Sequence, residues 1–286
     1  MKVRKAVIIA AGWGTRFLPV TRSQPKEMLP LVDKPLIHYG VEEAMLSGIE
    51  QIIIITARGK HSMEDYFDDC FELEYFLEQK GDKEISQRMK ELSDMVDICY
   101  IRQKEQRGLG HAINVAKDIV GREPFAVILP DDIIDSRVPT LKSMIDVYEK
   151  YDAGVIAVEE VSDEDTRKYG IIDPEPVSDH VYKILGMVEK PESADAPSRL
   201  GIVGRYVLPP ETFDAIAKTP PGKGNEIQIT DSLHLLLEEH QLYAYELDGI
   251  RYDTGNPLGW LKANVSLALK HKDIGPELKK YLRDIL

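Results

Sequence analysis

The chain has 286 residues, with 36 Lys and Arg against 49 Asp and Glu, so its formal net charge is −13. Such an acidic chain repels nucleic acid unless basic residues cluster on one face, and the sequence has no basic run. The two cysteines, Cys70 and Cys99, stand far apart and outside any C-x-x-C pair, which is typical of a reducing cytoplasm. No apolar run approaches the roughly 20 residues of a spanning helix. We therefore expect a cytoplasmic protein with no nucleic-acid or membrane partner, and an anionic substrate would need focal cations or a metal ion.

Apolar runs rich in Val and Ile recur with amphipathic stretches between them, a pattern typical of strands buried on both faces by crossover helices. Strands are predicted at 6–11, 51–56, 97–101, 126–129, 154–158, 181–188 and 202–207, and helices at 36–47, 210–218, 230–240, 258–269 and 276–286. The charged segment 61–95 is interpreted as a pair of solvated helices covering the sheet edge, with a partner-binding arm as the alternative. Residues 162–176 are interpreted as an insertion loop. The order of these elements predicts an α/β fold.

The loop after the first predicted strand carries the first functional signal. It fits neither the dinucleotide fingerprint, whose third small residue is missing, nor the Walker loop. Gly12 and Gly14 allow backbone N–H groups to approach a ligand closely, and Thr15 and Arg16 stand where an anion is favoured. Lys26 adds a second cation. The pattern indicates a polyphosphate-binding loop, with a tight turn carrying two solvated cations as the alternative.

Two aspartates are candidates for a metal site. Asp131 closes the fourth predicted strand, so its carboxylate should project into the crevice at the carboxyl end of the sheet. A hard oxygen ligand there suits Mg²⁺, which binds substrate phosphates through one or two carboxylates. Asp253, in an Asp-Thr-Gly sequence, is the candidate for a second carboxylate, although the same sequence could be a helix-capping turn.

Glu189 and Lys190 end another predicted strand, where Pro191 halts pairing. This arrangement leaves an acid and a base side by side at a strand terminus. Lys190 could grip a phosphate while Glu189 accepts hydrogen bonds from hydroxyls. An exposed ion pair is the alternative reading.

Several motifs, taken together and in order, resemble one family over nearly the whole chain. The sequence is similar to bacterial-type UTP:glucose-1-phosphate uridylyltransferases, also called UDP-glucose pyrophosphorylases, of the sugar nucleotidyltransferase family. The segments that carry the resemblance are AGWGTR at 11–16, PKEMLPLVDKPL at 25–36, GLGHA at 108–112, LPD at 129–131, EKP at 189–191, GRY at 204–206 and NEIQITD at 225–231.

The resemblance implies a Rossmann-like, mixed and mainly parallel sheet flanked by helices. It implies one domain over 1–270, with a nucleotide-binding half to about 135, a sugar-phosphate half over 136–270 and a C-terminal helix at 271–286. The resemblance assigns uracil binding to Ala11, Gly12, Gln103 and Gly108, and triphosphate binding to Arg16 and Lys26. It assigns Mg²⁺ to Asp131. Glucose 1-phosphate would be bound by Glu189 and Lys190, near Gly170. It also implies a homodimer or homotetramer formed through the later helices.

Two departures from the family pattern bear on the choice of base. Trp13 replaces a small aliphatic residue, and Thr254 stands where Asp-Cys-Gly is usual, so that the motif resembles the Asp-Thr-Gly of glucose-1-phosphate thymidylyltransferases. The ordered set of motifs still favours transfer of a uridylyl group from UTP to glucose 1-phosphate. A thymidylyltransferase using dTTP, or an inactive regulatory protein that binds UDP-sugars, are the alternatives.

Overall fold

The computed structural model describes residues 1–285, with the backbone alone for Lys223. The strands are β1 Lys5–Ile9, β2 Pro30–Leu31, β3 Lys34–Pro35, β4 Gln51–Thr56, β5 Asp97–Arg102, β6 Phe125–Ile128, β7 Asp132–Asp135, β8 Gly154–Glu160, β9 Gly170–Ser178, β10 Val181–Glu189, β11 Leu200–Leu208, β12 Leu242–Glu246 and β13 Ile250–Asp253. The helices are α1 Leu36–Leu46, α2 Ser62–Phe67, α3 Phe71–Lys80, α4 Lys83–Ser93, α5 Leu109–Asn114, α6 Lys117–Val120, α7 Thr140–Tyr151, α8 Thr212–Lys218, α9 Ile229–Glu239, α10 Pro257–Lys270 and α11 Gly275–Ile285.

Within residues 1–285, nine strands form one mixed sheet in the order β5-β4-β1-β6-β11-β8-β12-β10-β9. The pairings β4–β5, β1–β4, β1–β6 and β8–β12 are parallel, whereas β10 and β11 run against their neighbours. The predicted α/β fold with a mixed, mainly parallel sheet is therefore confirmed. The sheet runs through both predicted halves of the chain, and the boundary near residue 135 stays a prediction.

The central strands are buried because both of their faces are covered. Successive side chains of a strand point to opposite faces, and in β1 Val7 joins the core layer that contains Phe213 and Leu233, while Ile8 joins the layer that contains Ile37. Helices α5, α8 and α9 supply the first layer, and α1 and α7 supply the second. The continuous apolar runs of the sequence reflect this burial on two faces.

Two predictions of local structure need correction. Residues 170–176 are not part of a loop, since β9 pairs with β10 through eight residue pairs and forms the edge of the sheet. Pro174 and Pro176 suggested a loop, but an edge strand tolerates proline. The segment 61–95 holds three helices, not two. The predicted C-terminal helix is present as α11, and Leu286 lies outside the described residues.

The topology brings several loops to one edge of the sheet. β1 lies between β4 and β6, so the loops that follow these three parallel strands emerge side by side. A separate two-stranded pairing joins β7 to β13 and sets Asp253 opposite Asp132. The end of β13 is thus placed beside the loop that follows β6. None of the helices within residues 1–285 is long and apolar enough to cross a membrane.

Candidate active site

The loop after β1 folds into a tight turn that depends on glycine. Gly14 has φ +65°, and a Cβ there would lie 3.0 Å from Thr21 Cγ2 and 3.1 Å from Lys26 Cβ. The Thr21 hydroxyl donates to the Gly14 carbonyl at 2.8 Å, and a 3₁₀ turn, Thr15–Phe17, follows. A bulkier residue would push the turn away from Lys26, so Gly14 serves the close approach of this cation.

Two cations and two carboxylates meet beside this turn. Lys26 Nζ lies 2.5 Å from Asp131 Oδ2, and Arg16 Nη1 donates to the Gly255 carbonyl at 3.1 Å. A Cβ placed on Gly255 would lie 2.9 Å from Asp131 Oδ2, 3.0 Å from Asp253 Oδ1 and 3.3 Å from Arg16 Nη1. The side chains of four predicted site residues therefore surround one small space, which only a glycine at 255 leaves open.

The segment 253–256 fixes both carboxylates. The Thr254 amide and hydroxyl both donate to the Asp131 carbonyl, at 2.8 and 2.7 Å. Asp253 Oδ1 accepts from the Gly255 amide at 2.9 Å, and Asp253 Oδ2 accepts from Asn256 Nδ2 at 3.1 Å. The capping alternative is thus partly correct, because Asp253 stabilises its own turn, but Asn256 is the residue that caps α10 by accepting from Gly259 N.

The electrostatics of this group keep it charged. Burial would raise the pKa of Asp131, but the charge and hydrogen bond of Lys26 outweigh burial and hold that pKa below its ordinary value. Burial likewise opposes the charge of Lys26, but Asp131 and Glu27 raise its pKa above the ordinary value. Asp131 is therefore a carboxylate and Lys26 an ammonium at neutral pH.

The residues present suit a hard divalent cation. Asp131 and Asp253 offer two carboxylates to one space, and Mg²⁺ uses one or two carboxylates and takes its other ligands from water and phosphate. Among residues 1–285 there is no group of three or more His, Cys, Asp and Glu side chains that could hold a metal by themselves. The donor set therefore fits an ion that is shared with a phosphate ligand.

A second group of residues lies after β5. Gln103 is buried, and its Nε2 lies 2.8 Å from His111 Nδ1. Burial lowers the pKa of His111, so its ring is neutral and its Nδ1 accepts from the amide of Gln103. Gln106 Nε2 donates to the Ala11 carbonyl at 2.6 Å, which ties this segment to the loop after β1.

Gly108 marks a close approach of two backbones. It has φ +92°, and a Cβ there would lie 2.8 Å from the Ile227 carbonyl oxygen and 2.9 Å from the Ile227 nitrogen. The Ile227 amide donates to the Arg107 carbonyl at 2.8 Å, and the Gly110 amide donates to the Ile227 carbonyl at 2.9 Å. Gly108 is required by this packing, whatever else its backbone contacts.

A third group lies where β9 and β10 meet. Gly170 pairs with Glu189 in register, and a Cβ on Gly170 would lie 2.7 Å from Thr230 Oγ1. The Lys190 amide donates to the Tyr169 carbonyl at 3.0 Å, and Lys190 Nζ lies 2.6 Å from Glu189 Oε1. The predicted acid and base therefore form an ion pair with each other beside Gly170. Lys190 has φ +47°, a conformation uncommon for a residue with a side chain.

The structure thus sorts the predicted residues into three sets. Gly12, Gly14, Arg16, Lys26, Asp131 and Asp253 stand together; Ala11, Gln103 and Gly108 line the segments after β1 and β5; and Gly170, Glu189 and Lys190 form the third set. Thr15 is exposed and begins the 3₁₀ turn. Within the described part of the chain, its side chain makes no hydrogen bond to these sets.

Sequence reasoning missed the residues that hold these sets in place. Lys60 and Glu27 form a buried pair behind the loop after β1. Arg205 is fully buried and donates to the Leu129 and Asp132 carbonyls at 2.9 and 2.8 Å. The rule that predicted Asp131, that parallel strands end at one edge, applies equally to Gln106 after β5 and to Lys60 after β4. Arg205 lies in the GRY segment that contributes to the family resemblance, but no local pattern assigns it a role.

Comparison with known proteins shows the family to which the chain belongs. A family model described as "Nucleotidyl transferase" matches residues 5–269. The UTP–glucose-1-phosphate uridylyltransferase of Staphylococcus epidermidis is 48% identical over 284 residues, which cover 99% of either chain.

Solved structures give the same result. A UDP-glucose pyrophosphorylase complexed with UDP-glucose is 45% identical with a TM-score of 0.86, covering 94% of this chain and 100% of that one. A UTP-bound UGPase from Acinetobacter baumannii is 40% identical with a TM-score of 0.93, covering 99% of this chain and 100% of that one. The chain therefore belongs to the nucleotidyl transferase family, among the UTP–glucose-1-phosphate uridylyltransferases.

Proposed function

We propose that the protein transfers a uridylyl group from UTP to α-D-glucose 1-phosphate and releases UDP-glucose and pyrophosphate. The observation that carries this proposal is the convergence of Arg16, Lys26, Asp131 and Asp253 on one space at the carboxyl ends of the central strands. Relatives of nearly half identity over their full length bear the name of this activity. The site thus combines what a transfer between two phosphate compounds needs, namely cations and a pair of metal-binding carboxylates.

In the proposed mechanism the sugar phosphate attacks the α-phosphate of UTP in line. A phosphate oxygen is already anionic at neutral pH, so the attack needs charge neutralisation and placement rather than a general base. Arg16 and Lys26 bind the triphosphate and offset the charge on the departing pyrophosphate. Asp131, together with Asp253, would hold Mg²⁺, which when bound neutralises charge on the reacting phosphates.

Base recognition is assigned to the set after β1 and β5. The main chain of Ala11 and Gly12 and the backbone of Gly108 would enclose the uracil, with Gln103 at its edge. Because Gln103 donates its amide hydrogen to His111, its carbonyl oxygen is the group left to accept from the uracil N3–H. This contact requires a neutral His111, which is what burial produces.

Sugar-phosphate binding is assigned to Gly170, Glu189 and Lys190. Lys190 would grip the phosphate and Glu189 would accept from sugar hydroxyls. The 2.6 Å pair between the two side chains supports this division, because the carboxylate of Glu189 holds the ammonium of Lys190 in place.

The test is a pyrophosphate-release assay with the wild-type protein. UTP and dTTP are each combined with glucose 1-phosphate and galactose 1-phosphate, with Mg²⁺ and with a chelator. We expect turnover with UTP and glucose 1-phosphate that requires the divalent ion. Preference for dTTP would identify a thymidylyltransferase, and binding of UDP-glucose without any turnover would identify an inactive regulatory protein; either result refutes the proposal.

We further propose that the protein is a cytoplasmic homodimer or homotetramer that associates through the later helices. Helices α10 and α11 expose large apolar side chains, among them Leu258, Leu261, Tyr281 and Ile285. Exposed apolar surface of this kind is typical of an interface. Light scattering of the purified protein tests the assembly, and a monomer at all concentrations would exclude it.

A further inference from the structure

Arg251 is a buried cation that contacts Asp132 and Tyr169, the sequence neighbours of Asp131 in the first set and of Gly170 in the third. It lies on β13, and its side chain is 7% exposed. Its Nε donates to Asp132 Oδ1 at 2.7 Å, its Nη1 forms an ion pair with Glu159 and its Nη1 also lies 3.3 Å from the Tyr169 hydroxyl oxygen. Burial opposes the charge of this guanidinium, but Asp132 and Glu159 hold its pKa above the ordinary value. The guanidinium is therefore charged, and its position is fixed by Asp132, Glu159 and Tyr169.

On one side, Arg251 fixes the segment that carries Asp131. Asp132 is nearly buried, and its Oδ2 accepts from the Gly204 amide at 2.8 Å while its Oδ1 faces Arg251. Asp132 also pairs in register with Asp253 across the β7–β13 sheet. A shift of Arg251 would therefore move both carboxylates assigned to the metal.

On the other side, Arg251 touches the residue that anchors Lys190. The guanidinium carbon lies 5.3 Å from the centre of the Tyr169 ring, in addition to the contact with its hydroxyl. The Tyr169 carbonyl accepts from the Lys190 amide at 3.0 Å, and the next residue, Gly170, pairs with Glu189. Tyr169 thus transmits the position of Arg251 to the set assigned to the sugar phosphate.

We propose that Arg251 is a positioning residue that sets the distance between the metal-binding carboxylates and the sugar-phosphate residues by bridging Asp132 and Tyr169. The inference rests on the proposed function, which supplies the roles of Asp131 and Lys190. In-line transfer requires the reacting atoms to approach to about 3–3.5 Å, and a misplacement of about 1 Å can cost roughly 100-fold in rate. Lysine cannot replace arginine here, because its single ammonium cannot reach an aspartate, a glutamate and a tyrosine at once.

The experiment compares Arg251→Lys and Tyr169→Phe with Tyr182→Phe. Tyr182 is the matched control, since it loses a hydroxyl that donates to Glu246 at 2.6 Å, outside the three sets. We expect kcat to fall roughly 100-fold in Arg251→Lys, and about 3-fold to 10-fold in Tyr169→Phe, which keeps the ring and loses only the hydroxyl contact. In Tyr169→Phe the dissociation constant of UTP should stay within about twofold, because this variant keeps the contact between Arg251 and Asp132. The double variant should be non-additive, since both changes cut one bridge.

Hydrogen exchange of peptides covering 168–172 and 187–191 supplies a readout that does not require turnover. The bridge predicts faster exchange in Tyr169→Phe and Arg251→Lys and wild-type exchange in Tyr182→Phe. Wild-type kcat in Tyr169→Phe with unchanged exchange would overturn the inference, as would a loss of UTP binding equal to the loss of kcat, which indicates general destabilisation. If the wild-type protein itself shows no turnover, the proposed function fails, and exchange alone then decides whether the bridge exists.

Discussion

Lys60 and Glu27 form a buried ion pair behind the loop after β1, and its removal gives the sharpest test of how this site is held. Lys60 Nζ lies 2.7 Å from Glu27 Oε2 and donates to the Ala10 carbonyl at 2.5 Å. The side chains are 9% and 1% exposed. Glu27 follows Lys26, and Ala10 precedes the loop, so one ammonium connects the end of β1 with the segment that carries Lys26.

The change Lys60→Met removes the ammonium and keeps most of the side-chain volume. It leaves the Glu27 carboxylate buried without its cation, and breaking a buried pair in this way costs about 3–5 kcal/mol. The Ala10 carbonyl also loses its donor, but that cost overlaps with the first, so we expect the free energy of unfolding to fall by about 4 kcal/mol. Glu27 Oε1 already has no hydrogen-bond partner among the described residues, so the carboxylate has little other support.

The second variant, Lys60→Met with Glu27→Leu, separates the lost charge from the lost packing. Replacing both members of a buried pair by apolar residues is often neutral, so the double variant should recover at least about 2 kcal/mol relative to Lys60→Met. Burial already raises the pKa of Glu27 despite Lys60 and Lys26. In Lys60→Met the Glu27 carboxyl therefore binds a proton more tightly in the folded state than in the unfolded state. The loss of free energy of unfolding in this variant should therefore shrink as the pH falls from 7 towards 5.

Urea unfolding followed by circular dichroism at both pH values measures these free energies. Lys2→Met is the control, because Lys2 and Glu50 form a pair of similar length, 2.6 Å, with both side chains more than half exposed. An exposed pair contributes at most about 1 kcal/mol. A loss below about 1 kcal/mol in Lys60→Met, or a double variant no more stable than the single one, would refute the reasoning.

Four further changes test the site and the core. Asp131→Asn should lower kcat roughly 10²–10³-fold in the pyrophosphate assay, because it removes a carboxylate from the reacting phosphates. Lys190→Ala should raise the KM of glucose 1-phosphate roughly tenfold or more and leave the KM of UTP unchanged, because it removes a charged hydrogen-bond donor from one substrate. Gly108→Ala should cost about 1–3 kcal/mol in thermal unfolding beyond Gly59→Ala, because both glycines have positive φ but only Gly108 faces a backbone within 3 Å. Burial lowers the pKa of His38 in the folded protein, so the unfolded protein binds more protons at this residue. The free energy of unfolding should therefore decrease as the pH falls below about 6.5, and this decrease should be smaller in His38→Gln.

Each of these expectations has an outcome that contradicts it. Wild-type kcat in Asp131→Asn would remove the metal assignment. If Lys190→Ala changed only the KM of UTP, the assignment of Lys190 to the sugar phosphate would be wrong. Equal stability of Gly108→Ala and Gly59→Ala would show that the Ile227 backbone yields without cost. An identical pH dependence in wild type and His38→Gln would assign the acid sensitivity to other groups.

The sequence predicted the part of the site that follows directly from strand order. Buried parallel strands appear as continuous apolar runs, and their ends share one edge, so the approach of Lys26 to Asp131 could be expected from two segments about a hundred residues apart in sequence. The same rule correctly placed the loop containing Gly12 beside them. These predictions rest on local pattern and on topology, and neither requires knowledge of side-chain packing.

The remaining site depends on pairings that leave no local pattern. β7 and β13 have four residues each, too few for a period to be visible, yet their register sets Asp253 opposite Asp132. β9 carries two prolines, a pattern that predicts a loop, although the strand supplies Gly170. Arg205 and Arg251 are charged residues in buried surroundings, which composition alone predicts to be exposed. Such residues are identified only when their partners are seen.

Thr254 has a structural role in this site. Its resemblance to the thymidylyltransferase motif put the base preference in doubt, but its side chain is wholly buried and donates to the Asp131 carbonyl at 2.7 Å. A cysteine would be a weaker donor at this point, so threonine strengthens the support of the carboxylate segment. The hydroxyl therefore supports the backbone of the segment that carries the Asp131 carboxylate. The comparison of UTP with dTTP in the pyrophosphate assay therefore decides the base preference, with the segment from Gln103 to Gly108 as the proposed base site.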